Sequence, residues 1–172
     1  VIGQITSSSG EIVVNDFSLN SNVAGYQGEM PKVTASGDGF FATWQDGDSF
    51  GSMSSIVGAF FDQNGNSTTG DILVSDDPGK AQLLSDTATL SNGNVVVAWE
   101  SNIHPVTVTG SQYFRQESQI KFRLLKPDGS FATSTLSQTS PIGSYAKEPD
   151  VVALSDGGFA LIWHESTLQS YS

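Results

Sequence analysis

The chain contains no cysteine and few basic residues, and each shortage excludes a class of function. Without cysteine there is no disulfide scaffold, no thiolate zinc site and no thiol nucleophile. Seven Lys and Arg stand against 18 Asp and Glu in 172 residues, which gives a formal net charge of -11. Because a negative field repels phosphate, we expect neither nucleic acid nor an anionic membrane surface as a partner.

Long apolar runs and helical patterns are also missing. No apolar segment approaches the roughly 20 residues that a membrane helix needs, so we expect no membrane insertion. Charged residues make up 15% of the chain, too few for the exposed faces of long helices, whereas hydrophobic residues reach 37%. This balance is typical of a globular protein, and the length predicts one domain covering residues 1–172.

A repeat that ends in tryptophan organises the chain. In each copy a β-prone run, a turn with Asp-Gly or Asn-Gly, and a second β-prone run lead to a Trp. The three tryptophans are Trp44, Trp99 and Trp163. The residues nine positions earlier are Ala35, Leu90 and Leu154, which we align with one another. Each copy therefore predicts a β-hairpin with a tight turn.

A second pair of strands follows the first two hairpins. It covers residues 56–75 in the first copy and residues 119–137 in the second. No such pair follows Trp163, and similar sequence lies at the N-terminus instead. The matched segments are 1–5 with 56–60 and 11–15 with 71–75. One repeat is therefore four strands, and the third is divided between the two ends of the chain.

The repeat predicts an all-β fold, a propeller-like array of three four-stranded antiparallel blades. The three units are residues 27–76, residues 77–140, and residues 145–172 together with 1–18, so that the N-terminal strands close the third blade. Three blades are too few for a ring, since propellers have about four to eight. We expect either a homodimer in which each chain is half of a six-bladed ring, or further blades of a longer chain. A β-sandwich is the remaining alternative.

Residues 101–118 depart from the pattern of the other units. The stretch is polar and lacks clear alternation, so we predict an extended loop with a short strand at 106–109. A unit that differs from its siblings is where function is usually added to a repeat fold. The candidate ligand-binding residues are His104, Tyr113, Phe114 and Arg115.

Two acidic clusters resemble the beginning of a calcium loop. Asp46 and Asp48 alternate around Gly47, and Asp62 and Asn64 close the next strand. Calcium takes about six to eight oxygen ligands, which such spacing begins to supply. The EF-hand continuation is absent, and turn chemistry explains the same residues. Calcium is therefore the one cofactor that the sequence raises, with these four residues as candidate ligands.

The three tryptophans favour a structural role, and catalytic motifs are lacking. Identical placement in every copy favours packing between neighbouring units over a platform for sugar rings. The chain contains no Gly-x-Ser-x-Gly elbow, no His-Glu-x-x-His and no phosphate loop. His164 and Glu165 are adjacent, and a solvated strand end explains them better than an acid–base pair. The sequence therefore leans away from an enzyme.

Residues 148–163 read Glu-Pro-Asp-Val-Val-Ala-Leu-Ser-Asp-Gly-Gly-Phe-Ala-Leu-Ile-Trp. This pattern resembles a repeat of very large secreted bacterial proteins that is associated with RTX nonapeptide repeats. The resemblance covers nearly the whole chain and implies a propeller-like fold, a secreted or cell-surface location and a calcium-associated context. The nonapeptide Gly-Gly-x-Gly-x-Asp is absent here, so the resemblance does not imply RTX-type calcium binding.

These observations predict a non-enzymatic ligand-binding or adhesion module of a secreted or cell-surface bacterial protein. A glycan is the leading ligand. A glycan-processing propeller enzyme, or one half of such an enzyme, is one alternative. A structural spacer of a giant adhesin is the other.

Overall fold

The computed structural model describes residues 1–21, 26–47, 54–77, 80–107, 114–138 and 144–167. Within these ranges it contains β-strands and no helix, so the all-β prediction is confirmed. The strands are β1 (Ile2–Thr6), β2 (Ile12–Ser18), β3 (Tyr26–Ser36), β4 (Gly39–Gly47), β5 (Ser54–Phe61), β6 (Ile72–Leu73), β7 (Gln82–Thr89), β8 (Val95–Thr107), β9 (Phe114–Leu125), β10 (Leu136–Ser137), β11 (Ser144–Ala153) and β12 (Phe159–Thr167). The described part of the chain has no helix that could span a membrane.

The strands form four parts that follow one another along the chain. The N-terminal hairpin is β1–β2, the first sheet is β3–β4–β5–β6, the second sheet is β7–β8–β9–β10, and the C-terminal hairpin is β11–β12. Neighbouring strands within each part are antiparallel. One parallel pair, Tyr145 with Ser118, joins the C-terminal hairpin to β9 and extends the second sheet to six strands.

Three apolar clusters hold the four parts together as a stack in chain order. Leu19 and Phe17 of the N-terminal hairpin pack on the first sheet around Trp44. The first sheet packs on the second through a cluster that contains Phe41 of the first sheet and Trp99 of the second. The second sheet packs on the C-terminal hairpin through buried side chains of β8 and β9. Burial of apolar surface between layers is therefore what stabilises the stack.

Alternation along the central strands explains how one strand serves two neighbours. Successive side chains of a strand point to opposite faces. On β8, Val97 and Trp99 contact the first sheet, whereas Val96 and Ala98 contact the C-terminal hairpin. We call the face toward the preceding part of the stack the front face, and the opposite one the back face. Because both faces of β8 are covered there, residues 95–99 are apolar without interruption.

The predicted closure of the third unit by residues 1–18 is not made within the chain. The N-terminal hairpin lies against the first sheet and the C-terminal hairpin against the far side of the second. Within the described ranges β1 pairs with β2 alone and β12 with β11 alone. Two complete sheets separate the halves of the predicted unit, so they cannot pair inside one chain.

The alignment of the three hairpin turns shifts by one residue in the structure. Ser36 pairs with Gly39, so the first turn holds two residues. The second turn is longer, since Thr89 pairs with Val95 and the Leu90 N–H donates to the Asn94 carbonyl at 2.8 Å. Ala35 is therefore equivalent to Thr89 and Ala153, not to Leu90 and Leu154 as the sequence alignment predicted.

The sequence match of residues 11–15 with residues 71–75 is also displaced. The Leu19 N–H donates to the Val1 carbonyl at 3.0 Å, just as the Val74 N–H donates to the Ile56 carbonyl at 2.9 Å. Residues 16–20 are therefore the equivalent of residues 71–75. The match of residues 1–5 with residues 56–60 has the register that these bonds require.

The predicted loop at residues 101–118 is wrong for the part that the structure describes. Strand β8 continues to Thr107 and β9 begins at Phe114, with pairs such as Val106 and Arg115. The backbone ladder satisfies its own hydrogen-bonding groups whatever the polarity of the side chains. A search for hydrophobic alternation therefore missed these strand segments.

Candidate functional site

Three bulges interrupt the first strand of each Trp-ending hairpin at equivalent places. At each bulge a residue other than glycine has a positive φ: Met30 at 53°, Leu84 at 50° and Glu148 at 54°. This left-handed conformation costs roughly 1–2 kcal/mol for such residues. Strained backbone of this kind clusters at functional sites, which makes the bulges candidates.

The three bulges line one pocket of about 260 Å³, which we call the bulge pocket. Its lining residues are Met30, Lys32, Leu84, Ser85, Glu148 and Pro149. The pocket thus combines apolar side chains with an ammonium group, a hydroxyl group and a carboxylate. Such a mixture suits a ligand that is both polar and partly apolar.

A charged line crosses the three strands two residues after each bulge. Lys32 Nζ lies 3.7 Å from Asp86 Oδ1, and Asp86 Oδ2 accepts a hydrogen bond from the Val151 N–H at 2.8 Å. The neighbouring Asp86 side chain raises the pKa of Asp150, through hydrogen bonding and charge repulsion, whereas Lys32 opposes the rise.

Glu100 is a second carboxyl group whose pKa is shifted. It is buried on β8, and this burial raises its pKa from 4.5 to about 7. The charge of Lys147 and a hydrogen bond from the Glu148 N–H act in the opposite direction. Glu100 therefore ties the third bulge to the second sheet, and it holds a proton over part of the neutral pH range.

The candidate calcium ligands do not come together. Asp46 lies near the end of β4 that pairs with the start of β5, whereas Asp62 follows the opposite end of β5. The pair β4–β5 therefore separates them by several residues, at about 3.3 Å each, so one ion cannot bind both. Asp48 lies outside the described residues. Within the described ranges no group of three His, Asp or Glu could hold a metal ion.

Asp62 and Asn64 take part in a turn. Asp62 Oδ1 accepts hydrogen bonds from the N–H groups of Asn64 at 2.8 Å and Asn66 at 2.9 Å. Bonds from the side chain and backbone of Asn66 lower the pKa of Asp62. Asp128 makes the same kind of turn with Ser130, whose side chain and backbone lower the pKa of Asp128. The repeated Asp residues thus satisfy backbone donors.

The candidate ligand-binding residues lie on the long hairpin of β8 and β9. His104 pairs with Glu117, and Arg115 and Phe114 pair with residues of β8 near its end. Only the backbone is described there, and Tyr113 lies outside the described residues.

The tryptophans differ in burial according to their place in the stack. Trp44 and Trp99 are buried between layers, and Trp99 Nε1 donates to Gln82 Oε1 at 2.7 Å. Trp163 is half-buried on β12, and its Nε1 donates to Glu165 Oε2 at 3.2 Å. A sugar ring cannot stack on the two buried tryptophans.

The sequence did not predict the bulge pocket, because Met30, Leu84 and Glu148 share no residue type. The signal that could have found it is the charged residue two positions later in every copy: Lys32, Asp86 and Asp150.

Comparisons with protein-family models, with curated proteins and with solved structures found no match to this chain. The chemistry of the pocket is therefore defined by its own residues.

Proposed function

We propose that this chain is a non-enzymatic ligand-binding or adhesion module of a secreted or cell-surface bacterial protein, and that its bulge pocket takes a glycan. The observation that carries the proposal is the meeting of three equivalent strained bulges at one pocket. We take the stacked sheets as blades of a propeller-like fold, whose blades surround a central channel. The resemblance to repeats of secreted proteins supports the location.

The lining of the pocket suits one sugar unit. Its volume of about 260 Å³ is close to the lower end, roughly 300 Å³, of typical ligand pockets. Glu148 can accept hydrogen bonds from sugar hydroxyl groups, and Lys32 can donate to them. Met30 and Leu84 offer apolar contacts to the C–H face of a sugar ring.

The carboxyl content of the pocket favours binding over hydrolysis. Glu148 is the one carboxyl residue among the described residues that line it. Glycoside hydrolases hold their two carboxyl groups about 5 Å or more apart, with the scissile bond between them. A lining with one carboxyl residue lacks this pair, so the enzyme alternative has little support at this pocket.

A glycan array followed by calorimetry on the best ligand tests this proposal. We expect Glu148→Gln to weaken binding roughly tenfold, because a hydrogen bond to a charged group contributes about 1.5–3 kcal/mol. Glu11→Gln is the matched control, since Glu11 is an exposed acid on the turn of the N-terminal hairpin. It should leave the affinity unchanged.

Three outcomes would contradict the proposal. Release of a shortened sugar would support the glycan-processing alternative, and absence of binding to any glycan would support a structural spacer. Equal loss of affinity in both variants would place the ligand elsewhere. Repeating the titration with calcium and with a chelator tests the calcium expectation separately.

A further inference from the structure

We propose that a second copy of this chain docks head to tail on the first. The back face of the C-terminal hairpin and the free edge of β12 would contact the front face of β3 and the free edge of β1 in the second copy. The proposal does not depend on what the bulge pocket binds.

The back face of the C-terminal hairpin is exposed, whereas the equivalent back faces of the first and second sheets are covered by the next layer. Thr43, Ala98 and Ile162 occupy the same place beside the Trp of their strands. Thr43 and Ala98 are 0% exposed because a further layer lies on them, whereas Ile162 is 64% exposed. Val152, on the neighbouring strand, is exposed in the same way. An apolar surface of this kind marks an interaction site.

The front face of the first sheet is likewise uncovered over β3, whereas the equivalent front faces of the later layers are covered. Val33, Thr87 and Val151 are equivalent, and each pairs with the residue two before the Trp of its hairpin. Val151 is 7% exposed under the second sheet, whereas Val33 is 67% exposed. Beside Val33 the front face and β1 line an open apolar groove of about 490 Å³. The N-terminal hairpin therefore leaves the part of this face over β3 uncovered.

The free strand edges of the two surfaces match in register. Strand β1 has the hydrogen-bonding position of β5, as the bonds of Leu19 and Val74 show. In the described ranges β1 and β12 each have one unpaired edge. The pairing of β4 with β5, in which Ala42 lies opposite Ala59, then places Leu161 opposite Gln4 of the second copy.

The charged line points to the same occupant. Lys32 contacts Asp86, and Asp86 accepts a hydrogen bond from the N–H of Val151, the residue after Asp150, so each charged residue reaches the equivalent place in the next layer. Asp150 ends the line as an exposed carboxyl beside another carboxyl. In a head-to-tail pair the next residue is Lys32 of the second copy, which supplies the missing positive charge.

Both complementary surfaces belong to one chain, which is why the occupant is a second copy. Such a contact is heterologous, and it forms a ring when the rotation closes and an open filament when it does not. Two copies of three units give six, which lies within the range of about four to eight blades of known propellers. We therefore infer a closed pair.

Light scattering on the full 172-residue chain tests the interface. We expect a mass of twice 18.2 kDa for the unaltered chain. Ile162→Lys should weaken association roughly tenfold or more, because it places an unpaired charge in an apolar contact. Leu73→Lys, which alters an exposed apolar residue on the outer strand β6, is the matched control and should keep the doubled mass.

A charge reversal separates docking from folding. Asp150→Lys replaces a carboxyl group that Asp86 repels by an ammonium group that Asp86 attracts, so the single chain should unfold no more easily than the original. The same change would set Lys against Lys32 of the second copy, and the doubled mass should be lost. A stable variant that keeps the doubled mass would overturn the charge argument and the register with it.

Engineered cysteines test the register directly, because the chain has none of its own. Gln4→Cys combined with Leu161→Cys should give a disulfide-linked pair on a non-reducing gel, since bridged residues need Cα atoms within about 7 Å. Gln4→Cys with Ser155→Cys, a turn residue, is the control and should not cross-link. A single-chain mass for the original protein, or equal cross-linking of both variants, would overturn the proposal. Neither result depends on glycan binding.

Discussion

At the scale of single residues, Glu100 links stability to pH. Its pKa is about 7 in the folded chain because of burial, compared with an ordinary value of 4.5. Between these values the folded chain binds more protons than the unfolded chain, so stability falls as pH rises. The stabilising contribution of protonated Glu100 is complete below 4.5 and is lost as the pH passes through about 7.

Replacing Glu100 by Gln should remove this dependence. We expect Glu100→Gln to increase the free energy of unfolding at about pH 8 by roughly 1–2 kcal/mol, after allowing for solvent screening of the carboxylate. The measurement is denaturant unfolding at a series of pH values. A pH profile parallel to that of the original chain would contradict the assignment.

Asp62 provides a control of opposite sign. Hydrogen bonds from Asn66 lower its pKa below the ordinary 3.8, so its contribution is present above that value and is lost as the pH falls. Asp62→Asn should therefore lower stability above 3.8, where the contribution is present, and remove the part of the pH dependence that lies on the acid side. A change in the slope of stability with pH around 7, where Glu100 titrates, would show that the two carboxyl groups are not independent.

At the scale of elements, the three bulges carry backbone strain. Met30 has a φ of 53°, and it is the one described residue of β3 with a positive φ. The next residue with a positive φ is Gly37, in the turn that follows the strand. Glycine reaches this region without steric cost, whereas in extended strand it only adds conformational freedom to the unfolded chain. The sign of a glycine substitution thus depends on its position along β3.

We predict that Met30→Gly raises the free energy of unfolding by about 0.5–1 kcal/mol. Ala35→Gly, five residues later on the same strand, should lower it by a similar amount. Both values come from denaturant titrations at one protein concentration. Destabilisation by both changes would mean that the Met30 side chain stabilises the bulge more than its backbone strains it.

Hairpins were predictable from sequence, whereas bulges and the ends of strands were not. Asp-Gly and Asn-Gly turns fix a hairpin locally, because the residues that allow a positive φ lie within the turn itself. The bulge at Leu84 depends on packing against neighbouring strands, and no residue type marks it. The segment from Ser101 to Thr107 is strand because β9 pairs with it, a contact that polarity does not encode.

At the scale of the whole molecule, stability depends on contacts between layers. Trp99 is 0% exposed between the first and second sheets, whereas Trp163 is half-buried at the end of the stack. A residue that joins two layers contributes to both, so position in the stack should decide the effect of equivalent substitutions.

We predict that Trp99→Ala lowers the free energy of unfolding by about 3–5 kcal/mol, since it opens a cavity and leaves the Gln82 amide without its partner. Trp163→Ala should cost roughly half of that or less, because less area is buried. Denaturant unfolding of both variants, each measured in the Ile162→Lys background to keep single chains, provides the comparison. Equal losses would contradict the layered arrangement.

The sequence by itself determined the all-β class, the hairpins and the repeat, because turn residues and apolar alternation act over a few positions. The tertiary structure alone decided where the two halves of the third unit lie, since β1 and β12 are separated by two sheets. It alone brought Met30, Leu84 and Glu148 to one pocket and left Val33 and Ile162 uncovered. Burial and charge pairing depend on which layer packs against a given face of a sheet. The type of a single residue does not specify that layer.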